Sequence, residues 1–232
     1  APLELSIVVP CLNESDTVGS CVRKALAALR ARDIRGEVLV VDNGSSDGSA
    51  EVARQAGAQV VPGTVRGYGA AIDAGVKAAR GEFVLIGDAD DSYDFSELGR
   101  FVDEARRGHD FVIGTRLRGR VMPGAMPLLN RYLGTPILTS ILNHRFGTRI
   151  SDCNCGMRLL RREVWLALDL RAVGMEYASE MLVKAALRKV HVHEVPITLY
   201  KDGRGRPSHL RPWQDGWRHL RLLFNYAPNR HA

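Results

Sequence analysis

The residues best suited to chemistry close an apolar run between Glu82 and Asp94, where E-F-V-L-I-G-D-A-D-D-S-Y-D passes from a hydrophobic stretch into four carboxylates. Asp88 and Asp90 are two apart. If the chain stays extended past Gly87, both side chains leave on the same side and can converge on one hard cation. A divalent ion held in this way suits a diphosphate. Aspartates also collect in solvated turns with no function, so the neighbouring residues decide. Phe83 to Ile86 has the length and composition of a strand buried on both faces, the habit of parallel sheets, and such sheets bind ligands at their carboxyl ends.

Other polar clusters follow apolar runs in the same way. Pro10, Asn13 and Glu14 come after Leu5 to Val9, Asp42 and Asn43 after Val38 to Val41, and Arg116 closes the run Phe111 to Ile113 in G-T-R. Asp42 can accept from the N–H of a base or from ribose hydroxyls, and these clusters would meet at one sheet edge. The sequence holds no G-x-x-x-x-G-K-[ST]. The stretch Gly67 to Ile72, with Gly69 inside it, lacks the third glycine of the dinucleotide fingerprint, which argues against P-loop and NAD readings.

The elements that must position these groups alternate. A strand at Leu5–Val9, stopped by Pro10, leads to a helix capped by Ser15 whose inward face is Val18, Cys21, Val22, Ala25, Leu26 and Leu29. Strands at 38–41, 58–61, 83–86 and 111–113 are separated by helices ending near Gln55, Arg80 and Gly108, and Asp94 with Glu97 has the spacing of a capping box. This is α/β architecture with a mostly parallel sheet. Beyond it, Pro127 to Phe146 predicts a kinked helix or two short ones, interrupted by Gly134 and Pro136. Met157–Leu160 predicts a strand, Ala178–Arg188 a helix, Val190–Val195 an edge strand and Leu210–Tyr226 a last, amphipathic helix. We expect residues 1–205 to form the catalytic domain and 206–232 a basic loop and C-terminal helix.

The 232 residues carry 45% hydrophobic and 25% charged side chains with a formal charge of +6 and a pI near 9.4. That balance favours an anionic partner without choosing among a nucleotide, lipid headgroups and nucleic acid. No stretch approaches the ~18 apolar residues of a membrane span, and A-P-L-E-L-S lacks the regions of a signal peptide, so the expected location is cytoplasmic. Cys11, Cys21, Cys153 and Cys155 form no disulfide framework. The single C-x-C lacks a second ligand pair, leaving buried thiols as the expectation. His191, His193 and His209 show neither ligand spacing nor a carboxylate partner in the sequence.

Taken together, I-V-V-P-C-L-N-E-S, V-L-V-V-D-N-G-S-S-D-G-S, G-D-A-D-D-S-Y-D-F, G-T-R, D-C-N-C-G-M-R, G-M-E-Y-A-S-E-M and E-V-P-I followed by D-G-W-R-H-L-R resemble the inverting GT-A glycosyltransferases of family 2, in particular the dolichyl- and polyprenyl-phosphate hexosyltransferases. The resemblance covers nearly the whole chain. It implies a Rossmann-like GT-A sheet in which Pro10, Glu14 and Asp42 hold the nucleotide base, with Asn13, Asn43, Gly69 and Asp91 beside the nucleotide sugar. It also implies that Asp88 and Asp90, with Ser92, form a Mg²⁺ or Mn²⁺ site. Arg116 and Arg131 match positions that bind an acceptor phosphate, Asp152 and Arg158 lie in the acceptor-side motif, Glu180 matches an acidic helix position, and Arg204 and Arg206 resemble a basic segment that closes over donor and phosphate.

The expected reaction moves a hexose, mannose from GDP-mannose or glucose from UDP-glucose, to polyprenyl phosphate at a membrane surface. Asp90, Asp152, Arg116 and Arg131 carry the chemistry, and no nucleic acid takes part. Members of that branch usually continue into membrane-spanning helices, whereas this sequence ends at Ala232: either it is a truncated piece or this member is soluble, and in the second case a soluble hydroxyl acceptor stays open. A hydroxyl would require a base, and Asp152 and Glu180 are the candidates. Trp213, Trp217, Leu220 and Phe224 share a helical face suited to the inner surface of a membrane. A nucleotidyltransferase is disfavoured by the missing Gly-rich phosphate loop with its Lys, and a basic lipid- or nucleic-acid-binding module leaves the carboxylates unexplained.

Overall fold

The computed structural model describes residues 2–205 and 212–227, with Pro212 and Trp213 as backbone alone. In chain order the elements are β1 (Leu3–Cys11), α1 (Val18–Ala31), β2 (Gly36–Asp42), α2 (Ser49–Gln55), β3 (Gln59–Pro62), α3 (Tyr68–Ala78), β4 (Gly81–Ile86), α4 (Leu98–Arg106), β5 (Phe111–Val121), α5 (Thr135–Phe146), β6 (Arg158–Arg161), α6 (Arg162–Ala167), α7 (Tyr177–Leu187), β7 (Val192–Leu199) and α8 (Pro212–Asn225). The strands form one sheet in the order β3-β2-β1-β4-β6-β5-β7. Only β6 runs against its neighbours.

The apolar runs become strands because helices cover both faces of the sheet. Leu5, Ile7, Val8 and Val9 of β1 are all fully buried, each worth roughly 1.5–3 kcal/mol of transfer free energy. Helices α1, α2 and α4 pack together as one layer, and α3, α6 and α7 as the other. The small residues of α3 bring it close: a Cβ on Gly75 would stand 2.3 Å from Val8 Cγ1.

The sheet is mostly parallel, as predicted, and several boundaries differ. Pro10 does not stop β1; it pairs with Val41 near the end of the strand. The first helix starts at Val18 after a turn at 15–17, with no side-chain cap. Asp94 accepts from Ser96 N at 2.9 Å, while Glu97 accepts from Thr198 N at 3.4 Å, so the capping box is not closed. The predicted kink is a π-helical turn at Asn130–Gly134 that runs straight into α5. A last helix stands where expected, but it turns Asp215, His219 and Leu223 inward and leaves Trp217 and Phe224 exposed. No helix among the described residues is long and apolar enough to cross a membrane. All four cysteines are buried free thiols, and burial pushes Cys11 and Cys153 up to about 11.

Strand direction decides what meets at one edge. Parallel strands β1, β2, β4 and β5 deliver the residues that follow them to the carboxyl edge. Because β6 is reversed, the residues that precede it, 151–157, arrive at that same edge.

Candidate active site

Asp88 and Asp90 do lie together. Asp88 accepts from Tyr68 Oη at 3.1 Å and is raised to about 7, first by burial and then by the neighbouring Asp90 charge. Asp90 is buried. One of its oxygens accepts from Ser92 N at 3.0 Å and from Ser92 Oγ at 2.6 Å, while the other is ion-paired with Arg204. The Ser92 hydroxyl donates its one hydrogen to orient Asp90 and keeps its lone pairs. Arg204 Nη1 also stands 3.5 Å from Glu14 Oε1. The segment carrying Arg204 is fastened over the acids, with Tyr200 N donating to Ser92 O and Gly203 N to Asp90 O, both at 2.9 Å.

These residues fit a divalent metal. Two carboxylates sharing a buried site raise one another's proton affinity, and here an arginine already supplies a cation between Asp90 and Glu14. Oxygen donors suit Mg²⁺ or Mn²⁺, which bind through one or two carboxylates plus substrate phosphates. Metal at Asp90 requires Arg204 to move aside. Arg204, expected in a basic segment that closes over donor and phosphate, pairs here with Asp90 and Glu14, and Arg206 lies outside the described residues.

The other side of the cleft is an arginine clamp. Asp152 is 0% exposed. It accepts from Arg116 Nε and Nη2, both at 2.7 Å, and from Arg116 N at 3.0 Å. Glu194 of β7 holds the loop by accepting from Ser151 N at 2.7 Å and Asp152 N at 3.3 Å. Tyr93 Oη accepts from Gly156 N at 2.9 Å. The Arg116 charge acts on both Tyr93 and Asp88, so the clamp borders the acidic pair. Arg131 sits in the π-helical turn before α5, and Thr135 and Thr139 of α5 bond the Asp152 loop at Asn154 and Cys153.

Several expected ligands have other duties. Asp91, at φ +61°, faces α1, where it pairs with Lys24 at 2.8 Å and accepts from Ser20 Oγ at 3.0 Å. Arg158 is 1% exposed and donates to the carbonyls of Cys153, Cys155 and Ala178, which makes it an internal brace rather than an acceptor ligand. Glu180 is buried between α7 and α8. It pairs with Lys184 at 2.9 Å and accepts from Ala172 N at 2.7 Å, Arg171 N at 2.9 Å and Tyr226 Oη at 3.0 Å. Gly69 faces protein, since a Cβ there would stand 2.4 Å from Ala172 O.

Pro10, Asn13, Glu14, Asp42 and Asn43 do gather at the ends of β1 and β2. Asn13 accepts from Ser46 N at 2.8 Å, Asp42 from Ser45 N at 3.1 Å, and Asn43 donates to Gly67 O at 3.1 Å, so these side chains shape the loops around the cleft. Sequence reasoning missed Tyr68, Tyr93 and Glu194. Glu194 lies in the quoted E-V-P-I, and Tyr68 in R-G-Y-G, so the motifs were visible while the partners were not.

A family model described as Glycosyl transferase family 2 matches residues 6–166. The chain belongs to this family. It is 39% identical over 225 residues to the low-salt glycan biosynthesis hexosyltransferase Agl6 of Haloferax volcanii, covering 97% of this chain and 54% of that protein. The chain thus spans about half the length of that relative. It is 34% identical over 217 residues to the dolichyl-phosphate hexose transferase of the same organism, covering 92% of this chain and 89% of the relative. Among solved structures it resembles the glucosyl-3-phosphoglycerate synthase of Mycobacterium tuberculosis in complex with Mn²⁺, UDP and glucosyl-3-phosphoglycerate, with a TM-score of 0.75, 21% identity and coverage of 98% and 82%. The fold of this family 2 chain is therefore GT-A.

Proposed function

We propose that this family 2 chain transfers a hexose from a nucleotide sugar to polyprenyl phosphate with inversion at the anomeric carbon. The observation that carries this reading is the absence of an available base among the two candidates. Asp152 has both oxygens on Arg116, and Glu180 is tied to Lys184, Tyr226 and two backbone amides away from the clamp. A hydroxyl acceptor needs a base within reach of its proton. A phosphate acceptor is already anionic and needs only to be held.

Asp88 and Asp90 would hold Mg²⁺ or Mn²⁺, which supplies positive charge to the departing nucleoside diphosphate. Tyr68 and Ser92 fix the two carboxylates. Glu14 and Asp42, at the ends of β1 and β2, take the nucleoside. Asp152 fixes the Arg116 guanidinium, which with Arg131 positions the acceptor phosphate for attack along the line of the leaving group. The names of the relatives, a hexosyltransferase and a dolichyl-phosphate hexose transferase, support this acceptor class.

The surface supports a lipid acceptor and a peripheral place at the inner face of a membrane. Leu128, Leu129, Tyr132, Leu133 and Ile137 flank Arg131 and are all exposed, Leu128 to 71%. Trp217 of α8 is 68% exposed. Contiguous apolar side chains in water mark an interaction surface. We take residues 1–205 as the catalytic unit and the segment from 206 as its membrane-facing appendage.

The test is turnover of a panel of nucleotide sugars with purified polyprenyl phosphate and, in parallel, with the corresponding polyprenol. Turnover with the phosphate and none with the alcohol is expected. Turnover of the alcohol with the phosphate inert contradicts the proposal.

A further inference from the structure

Glu104, His109 and His193 form a cluster that the transfer reaction does not use. Glu104 lies in the last turn of α4, which closes through Gly108 at φ +99°. Gly108 N donates to Ala105 O at 2.9 Å and His109 N to Glu104 O at 3.2 Å, a C-terminal motif that folds the chain back and sets the His109 ring beside the Glu104 side chain. Strand β7 runs next to β5 with His193 opposite Val112, and the two imidazoles stack with centroids 4.3 Å apart and planes 17° from parallel, so one exposed ring must turn for both in-plane nitrogen lone pairs to reach one ion. This is the amino-terminal end of β5, whereas Arg116 lies toward the cleft.

We propose that Glu104, His109 and His193 bind a divalent transition metal ion, zinc above all. His109 Nε2 and His193 Nε2 stand 3.6 and 3.5 Å from Glu104 Oε2, and one donor atom from each residue lies within 4.8 Å of the other two. Those separations are too long for good hydrogen bonds. They are close to the spacing of neighbouring donors around a tetrahedral zinc, about 3.3–3.4 Å for bonds of about 2.0–2.1 Å. Two imidazole nitrogens and one carboxylate oxygen suit zinc, nickel or copper and not the hard cation for which Asp88 and Asp90 are built. Arg107 Nη1 holds the other Glu104 oxygen at 2.5 Å and fixes the carboxylate. The two histidine side chains are 39% and 40% exposed, which leaves the fourth corner of the tetrahedron to water.

An ion here joins α4 to β7, the edge strand of the sheet. Its binding stabilises the folded chain by mass action. The residue after His193 is Glu194, which holds the Asp152 loop, so the staple sits on the strand that supports the clamp.

The test is calorimetric titration of the chain with ZnCl₂ in excess Mg²⁺, which keeps the hard-oxygen site occupied, together with thermal unfolding. One Zn²⁺ per chain and a higher Tm are expected for the wild type and for Asp90→Asn. His109→Gln and His193→Gln should each lose the zinc-dependent rise. Co²⁺ titration of the wild type gives a second readout without any variant, since intense visible absorption reports tetrahedral nitrogen and oxygen ligation. No zinc uptake by the wild type, equal uptake by all four proteins, or only the weak spectrum of octahedral Co²⁺ would overturn the proposal.

Discussion

The acidic end of β4 and the loop before β6 use the same residue types to opposite effect. At Asp88 and Asp90 two carboxylates crowd together, Asp88 is lifted to about 7, and the cation serving Asp90 and Glu14 comes from Arg204 on a separate segment. At Asp152 one carboxylate is saturated by one arginine through three donors. A crowded pair gains free energy from an added cation, whereas a saturated carboxylate has nothing to gain from one and no lone pair turned to a substrate. Burial and partners, and not residue type, distinguish the proposed metal site from the proposed positioning device.

The largest effect should come from removing the crowded pair's charge. Asp90→Asn is expected to cut turnover by roughly 10²-fold or more, as for loss of a preorganised charge-stabilising group, and excess chelator should abolish it. Full activity in chelator would erase the difference between the two regions. Next is Arg116→Lys, since an ammonium cannot reproduce a bidentate fork on Asp152. We expect kcat/KM for the acceptor to fall by about 10–10²-fold with the KM for nucleotide sugar unchanged, and equal losses for both substrates would remove Arg116 from the acceptor side.

A smaller effect lies in stability. The folded value of Asp88 lies above its ordinary 3.8, so the folded state binds this proton more tightly than the unfolded chain does. The resulting penalty is absent below about pH 4, grows as pH rises and is complete above about 7. Asp88→Asn should therefore raise the Tm of metal-free protein by a few degrees at pH 8, at about 2–4 °C per kcal/mol for a chain of this size, with little change at pH 4. Saturating Mn²⁺ should cancel or reverse the gain. A gain independent of pH would mean that crowding is not its source. The smallest effect concerns the surface: Trp217→Glu should reduce flotation with anionic vesicles while leaving the fold intact by circular dichroism. Unchanged flotation would remove α8 from the membrane contact.

The order of strands and helices through β5 was legible because buried parallel strands are short apolar runs ending in polar loops. The reversal of β6 was not, since a four-residue strand carries no mark of direction, and that reversal brings Asp152 to the cleft. Asp88 and Asp90 were legible from spacing two along an extended chain. Asp91 misled because, one residue from Asp90, its carboxylate is taken by Lys24 and Ser20 of α1. Arg158 and Glu180 stood in motifs that match the family, yet both are internal braces; a motif records that a residue type is needed, and only burial and partners say for what. The His193 cluster escaped because its carboxylate lies 89 positions away on another element.

The most direct test of the difference between the two regions is the pH–rate profile of Asp152→Asn beside that of the wild type, with polyprenyl phosphate as acceptor. The shape is informative even if the variant is less stable. If Asp152 holds Arg116, the two profiles keep the same shape at a lower plateau for the variant. If Asp152 is a base, the variant loses about 10²–10⁴-fold in rate together with the limb that reports an essential carboxylate, and the account is contradicted.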